Sequence, residues 1–324
     1  MHPDLIYRAL SASLRQKKAL LGETNTIRLL NAGASGTPGL VAELYDAHFI
    51  AYDYGIGLGQ DFRVAASQWL REFGWESIVV LDRSQPGDEG RVNSAVAAGK
   101  VSDKIIVHEG PLRFWVEPQH PRNVGLFLDT RGLRSWLREN SAEKRVLNLF
   151  GYTCSLGLAA LSGGATEVVN VDISDRYLKW GRENLKLNDL PESKCRFQCM
   201  DSERYLDWAA KKNLSFDQII LDPPVFSRFE GKVFRFESDY FRLVSKSLDL
   251  LSPSGILHAV TNFSGIDASD FKQRLEETAA ATGKNIRDIR QLSLPPDFDV
   301  KPGMEREEGN AVMMQIGLDK IAGG

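Results

Sequence analysis

Arg145–Asp172 reads RVLNLFGYTCSLGLAALSGGATEVVNVD, and the fold turns on it. The apolar run Val146–Phe150 ends in a turn containing Gly151. A helix of small residues follows, Leu156–Leu161, and then Gly163-Gly164. A second apolar run, Val168–Val171, closes on Asp172. Short apolar runs bounded by turn residues, with a helical stretch between them, spell strand, tight turn, helix, strand. An acid at the end of the second strand is where an α/β nucleoside-binding unit puts the carboxylate that takes ribose hydroxyls. The turn has Gly151 and Gly157 but no G-x-G-x-x-G. A pyrophosphate needs several close backbone N–H groups at a helix start, so a phosphate-free cofactor fits this turn better. An α/β unit that binds nothing satisfies the same pattern.

Downstream, strands and helices keep alternating. Expected strands are Arg196–Cys199, Gln218–Leu221 and Ile256–Val260. Expected helices are Asp175–Leu187, Ser202–Lys211, Phe241–Leu250 and Ser269–Ala281. Two last apolar runs, Ile286–Leu294 and Ala311–Ile316, read as an antiparallel pair at one edge. The βαβ repetition predicts a mostly parallel sheet covered by helices on both faces.

Upstream, the chain reads as a small α+β domain. Leu5–Leu21 has helical spacing, with Arg8, Arg15, Lys17 and Lys18 on its polar side; that side is either a solvated face or an RNA-contacting one. Thr26–Leu30 is a strand, and Leu40–Tyr54 a hairpin turning at Tyr45-Asp46. Gln60–Phe73 is a helix and Ser77–Leu81 a strand. Lys104–His108 and Leu112–Val116 are two more strands. Ser84–Lys100 reads as a mobile loop. The two prolines of Pro118–Val124 mark a linker, which sets the expected domains at 1–122 and 123–324.

The chain has 324 residues, too many for one ordinary core, so two domains are expected. No apolar run reaches the ~18 residues of a membrane span, and the N-terminus has no signal-peptide core. Three cysteines make no disulfide framework, which points to a reducing cytoplasm. The net charge of −3 leaves any nucleic-acid contact to a local basic patch. The five histidines share no metal-ligand spacing, so no metal is expected. Glu305-Arg306-Glu307-Glu308 reads as a solvated charge run.

Chemistry concentrates at the strand ends. Asp172 can accept ribose hydroxyls, and Ile173 can pack on an adenine; Ser174 or Asp175 also serves as a plain helix cap. Asp201 can bond an adenine amine or cap the next helix. Leu221-Asp222-Pro223-Pro224-Val225-Phe226 follows an apolar strand. Two prolines stop sheet pairing and fix a stiff turn at the carboxyl end of the sheet, where open α/β sheets bind ligands. Phe226 can stack on a flat base, and Arg228, Lys232 and Arg235 can meet RNA phosphates or form a plain surface loop.

These pieces together resemble class I S-adenosylmethionine-dependent methyltransferases. They are the D-P-P-x-F turn, N-L-F-x-Y-T, V-D-I-S and the upstream G-L-F-L-D-x-R. More narrowly the chain resembles bacterial large-subunit rRNA methyltransferases that modify cytosine C5 or guanine N7. The resemblance implies a Rossmann-like seven-stranded α/β sheet, mostly parallel with an antiparallel last strand, behind a small N-terminal α+β domain that binds RNA or another substrate. It implies S-adenosylmethionine as cofactor and RNA, expected to be rRNA, as partner, with no membrane and no metal. Phe127, Asp129 and Arg131 match the segment that closes over the cofactor. Asn148, Phe150 and Tyr152 match the loop around its methionine end. Asp172, Ile173 and Ser174 match the ribose and adenine contacts, and Asp201 the adenine contact. Asp222, Pro223, Pro224 and Phe226 match the target-base site. Cys154 and Ser155 depart from the family, which often has smaller residues there.

C5 chemistry needs a thiolate to add to C6. Relatives that use one carry it after strand four or five, and here strand five ends Val260-Thr261-Asn262-Phe263-Ser264. Cys154 lies in the cofactor turn, and Cys195 and Cys199 read as core. Guanine N7 has a lone pair and no proton to lose, so positioning suffices. The turn bearing Asn262 resembles the guanine-N7 branch. An exocyclic amine, cytosine C5 or a protein side chain are the alternative targets. A non-catalytic RNA-binding or assembly protein that kept the fold is the alternative of another class.

Overall fold

Nearly every residue of Thr26–Asn31 (β1), Leu40–Tyr45 (β2) and His48–Asp53 (β3) is buried, which alternation alone does not demand. The computed structural model describes residues 1–84, 94–229, 232–298 and 310–319 and explains that burial. The chain divides into two units: Met1–Leu128 with Pro295–Glu307, and Asp129–Leu294 with Glu308–Gly324. The first therefore runs past the Pro118–Val124 linker. Val124, Leu126 and Leu128 are buried, and the Leu126 carbonyl accepts from Tyr45 Oη (3.0 Å).

In the first unit, Pro3–Lys17 (α1) lies before β1, and Gln60–Phe73 (α2) crosses from β3 to Ser77–Asp82 (β4). The sheet order is β1-β2-β3-β4 and then Ser94–Gly99 (β5). Only β3 and β4 run parallel, as a helical crossover requires. Ile6 and Leu10 of α1 and Phe62, Ala66 and Trp69 of α2 close one core with Ile27, Leu29, Ala42 and Phe49. Ile105–Glu109 (β6) and Leu112–Val116 (β7) form a separate hairpin.

Two expectations change here. Lys17 is not on the polar side of α1: it is buried, and its ammonium donates to the carbonyls of Arg28 (3.1 Å) and Leu29 (3.4 Å). Backbone acceptors at the rim of the sheet replace the lost water. The expected loop Ser84–Lys100 ends in a strand, because β4 offers an open edge to any following segment and small residues fit beside it. Residues 85–93 and the charge run at Glu305 lie outside the described residues.

The second unit holds a seven-stranded sheet in the order β10-β9-β8-β11-β14-β16-β15. In chain order the elements are Arg131–Asn140 (α3), Arg145–Leu149 (β8), Ser155–Ser162 (α4), Glu167–Asp172 (β9), Asp175–Leu187 (α5), Cys195–Cys199 (β10), Ser202–Lys211 (α6) and Phe216–Leu221 (β11). Then come Phe226–Phe229 (β12), Lys232–Arg235 (β13), Phe236–Asp249 (α7), Leu251–Thr261 (β14), Ala268–Ala281 (α8), Ile286–Leu292 (β15) and Val312–Leu318 (β16). Five strands pair in parallel, and β16 runs antiparallel between β14 and β15. This is the mostly parallel sheet with an antiparallel last strand that the sequence predicts. Leu147, Leu149, Ile219, Leu221, Leu257 and Ala259 belong to the sheet's share of one core, against α6, α7 and α8. The β12–β13 hairpin was not expected: that stretch read as a loop.

Gly99 tests the β5 assignment. Its φ is +80°, and a Cβ there would lie 2.1 Å from the Glu76 carbonyl oxygen. Gly99→Ala should cost about 2–4 kcal/mol in denaturant unfolding, adding left-handed strain to a backbone clash. Gly22→Ala, which meets nothing within 4 Å, should change stability by less than about 1 kcal/mol. Equal effects of the two would contradict the strand.

Candidate active site

The strand order sets five carboxyl ends side by side: Met200-Asp201 after β10, Asp172–Ser174 at β9, Phe150–Cys154 after β8, Asp222–Pro224 after β11, and Thr261-Asn262 at β14. The registers Cys199↔Asp172, Leu149↔Val171, Leu149↔Leu221 and Leu221↔Ala259 keep them level. At ~4.8 Å per strand the row spans about 20 Å, the length of a nucleoside with a chain attached and a second ring beyond it.

The centre of the row is the turn after β8. Phe150, Tyr152 and Cys154 have φ of 56°, 48° and 63°. Left-handed backbone costs a side-chain-bearing residue about 1–2 kcal/mol, so the surroundings must impose it. The Gly151 N–H donates to the Val171 carbonyl (2.8 Å), and the Tyr152 N–H to Asp172 Oδ2 (2.8 Å). The Phe150 N–H reaches Ser202 Oγ (3.3 Å), and Asn184 Nδ2 holds the Thr153 carbonyl (3.1 Å). The Tyr152 ring lies edge-on to Tyr177 at 4.6 Å.

Asp172 accepts a second backbone bond, from the Ser174 N–H to Oδ1 (2.8 Å). Burial raises its carboxyl above the ordinary range, and the two N–H groups oppose that. Each oxygen keeps a lone pair, enough for two hydroxyls. Ile173 is partly exposed beside it, and Ser174 caps α5 by accepting from the Tyr177 N–H. Asp201 caps α6, taking the Arg204 N–H at 3.0 Å.

At the end of β11 the turn leaves Asp222 partly exposed, Pro223 buried and Pro224 exposed. Burial, and then the nearby Asp129 carboxylate, push the Asp222 carboxyl up to about 7. Asp129 itself accepts from the Ala311 N–H (3.2 Å). Tyr240 belongs to the same neighbourhood: burial, and then Asp222, raise its hydroxyl, which donates to the Val260 carbonyl (3.0 Å). The prolines end the pairing of β11, and the chain turns back as the β12–β13 hairpin. There Phe226 pairs across strands with Arg235 and is 42% exposed. The Arg235 guanidinium lies 5.7 Å from its ring centroid. Phe234 of the hairpin approaches Phe150 of the central turn at 5.9 Å. Asn262 is exposed at the end of β14, and Arg131 opens α3 partly exposed. Phe127 belongs to the first unit and is 41% exposed. The side chains of Arg228 and Lys232 lie outside the described residues.

The thiols are either buried or on the far side of the row from Asp222. Cys154 and Cys195 are buried; burial raises both, Cys195 to about 12. Cys199 is exposed, not core as expected, because the outer strand β10 ends there. Its register partner is Asp172, at the other side of the row from Asp222. Among the described residues no His/Cys/Asp/Glu group could hold a metal.

Sequence reading missed Asn170, Ser202, Tyr177, Tyr240 and Phe234. Only Asn170 left a signal, as a polar residue inside the apolar run Val168–Val171.

An open α/β sheet with a partly buried carboxylate after one strand, a strained central turn and a proline-braced acid can hold a nucleoside cofactor beside a second substrate. Residues 64–308 match the family described as S-adenosylmethionine-dependent methyltransferase, and the chain belongs to that family. It is 29% identical over 292 residues to the provisionally named ribosomal RNA large subunit methyltransferase YwbD of Bacillus subtilis (strain 168), covering 89% of this chain and 74% of that one. It is 41% identical over 200 residues to ribosomal RNA large subunit methyltransferase K/L of Saccharophagus degradans, covering 61% of this chain but 25% of that longer protein. SMU.776, provisionally named a methyltransferase and solved with S-adenosylhomocysteine, superposes with a TM-score of 0.85 at 25% identity, over 98% of this chain and 82% of that one.

The enzyme is thus an S-adenosylmethionine-dependent methyltransferase, and its residues fit that cofactor. Asn148 Oδ1 is buried with no hydrogen-bond partner, an acceptor suited to an ammonium. Asp172 suits the ribose. When bound, the cofactor supplies an electrophilic methyl group on a sulfonium.

Asp222 gives a pH test. Its folded carboxyl, about 7, lies above the unfolded value of ~3.9. Between those values the folded state holds the extra proton, so stability falls as pH rises from about 4 to about 7. Asp222→Asn removes this. The wild-type-minus-variant stability difference should fall by as much as about 4 kcal/mol across that window. A flat difference would mean an ordinary carboxyl.

Proposed function

We propose that this enzyme methylates large-subunit rRNA, at guanine N7. The observation that carries the reading is Phe226, exposed with Arg235 beside it on a hairpin hung from the β11 end. A flipped base can stack there, a contact of roughly 1–3 kcal/mol. The names of YwbD and the K/L protein support the same substrate.

In this reading Asp201, Ile173 and Ser174 meet the adenine end, Asp172 the ribose, and Asn148, Phe150 and Tyr152 the methionine end. Asp129 and Arg131 close over the cofactor. The base is held by Asp222, Pro223, Pro224, Phe226 and Asn262. No residue has to remove a proton from N7; the protein aligns the lone pair with the methyl group and keeps water out. The first unit helps bind RNA, through Arg8 and Arg15, exposed on α1, and Lys18, exposed just after it. The setting is the cytoplasm, where rRNA is found.

C5 chemistry is disfavoured, because the described thiols are either buried or at the Asp172 end of the row. One observation favours a second reading, an exocyclic amine. A partly buried acid at Asp222, raised to about 7, can bond an amino hydrogen directly.

Mass mapping of modified nucleosides in rRNA from cells lacking the gene should show one N7-methylguanosine lost from the large rRNA. Loss of an N2-methylguanosine instead would favour the second reading, and an unchanged rRNA would refute the substrate. Phe226→Ala should lower turnover on RNA about 100-fold, with S-adenosylhomocysteine affinity kept within about twofold. Equal loss of both would remove the stacking role.

A further inference from the structure

Asn170 lies in mid-strand β9 with 0% exposure, where the rest of the run is Val168, Val169 and Val171. A carboxamide in such a place must have both ends bonded. Its Oδ1 accepts from Asn148 Nδ2 (2.8 Å), on the neighbouring strand and directly in register. Its Nδ2 donates to Cys195 Sγ (3.4 Å), on the strand beyond. The three side chains form one line across β8, β9 and β10.

The line needs room, and the room comes from α4. A Cβ on Gly157 would lie 2.1 Å from Asn170 Oδ1, so only a glycine lets that helix pass over the amide. Register sets the two amides face to face, and Asn148 turns its nitrogen to the Asn170 oxygen. Its own Oδ1 is left as a buried acceptor with no partner. Asn148 is 1% exposed, and an acceptor left in that state favours any donor that reaches it.

The row of strand ends identifies what that acceptor suits. Ribose hydroxyls fall at Asp172, on the strand to one side, and the second substrate at Asp222, on the strand to the other. What lies between, above β8, is the amino-acid part of the methyl donor, and its ammonium is a pure donor. We infer that Asn170 is a positioning residue: by taking the Asn148 amide hydrogen it turns the Asn148 oxygen toward the ammonium of S-adenosylmethionine. The inference rests on the placing of the methionine end at β8. Without Asn170, the Asn148 amide is free to rotate and present NH₂ to a cation.

The test is calorimetry with two probes, S-adenosylhomocysteine and 5′-methylthioadenosine, which lacks the amino-acid end. Asn170→Leu should weaken S-adenosylhomocysteine about tenfold and leave 5′-methylthioadenosine within about twofold. Asn148→Leu should do the same, and the double variant should lose no more than either single one. If Asn148→Leu leaves S-adenosylhomocysteine unchanged, the placing of the methionine end is wrong. If it weakens binding while Asn170→Leu does not, or if the two losses multiply, the positioning role alone is wrong. Equal weakening of both probes would show general damage and also overturn it. Should Asn170→Leu fail to fold, Asn170→Asp keeps an oxygen toward Asn148; retained S-adenosylhomocysteine affinity then supports the role, and a tenfold loss refutes it.

Discussion

The carboxylate of Asp172 holds the active-site turn in a conformation that its residues would not choose. Phe150, Tyr152 and Cys154 all carry left-handed backbone, and the Tyr152 N–H is bonded to Asp172. The same side chain restrains the start of α5 through Ser174. One acid therefore restrains both the central turn and the start of α5. Its burial raises the carboxyl, which marks how much water it has given up to do so. The apolar strands beneath make this possible. Packed helices on both faces leave the strand ends as the place where polar groups can gather at low cost.

The same economy of polar groups runs through the second unit. Interior amides find partners: Asn148 and Asn170 pair across strands, and Gln218 accepts from the Ser141 hydroxyl just after α3. His258, buried in mid-strand, stays neutral, with burial pushing it down to about 3 and Gln315 beside its Nδ1. Asp222 differs in kind. It sits in a turn, with a second acid near it, and holds its proton close to neutral pH. Groups buried in the sheet serve packing and orientation; those at the strand ends remain able to titrate and to meet a ligand.

Much of this was legible in the residues. The period-two and helical spacing gave α2, α5 and α6 at their observed bounds, because amphipathic stripes and caps such as Ser174 and Asp201 are local signals. The Asp222-Pro-Pro turn was legible because proline acts on its own backbone. Lys17 and Cys199 were misread, since burial depends on where an element ends up and not on its spacing. The strand Ser94–Gly99 and the β12–β13 hairpin were read as loops for a similar reason. Their residues have modest strand preference, and only the partner strand makes them β.

The sequence by itself determined the succession of strands and helices in the second unit and the acids at the strand ends, which follow from hydrophobic period, proline and glycine acting over a few residues; the family was legible in the resemblance of its motifs. Tertiary structure alone decided the left-handed turn, the line from Asn148 to Cys195, and the Phe226–Arg235 pair. Each depends on atoms far apart in the chain being set level by strand register, and register is a property of the assembled sheet.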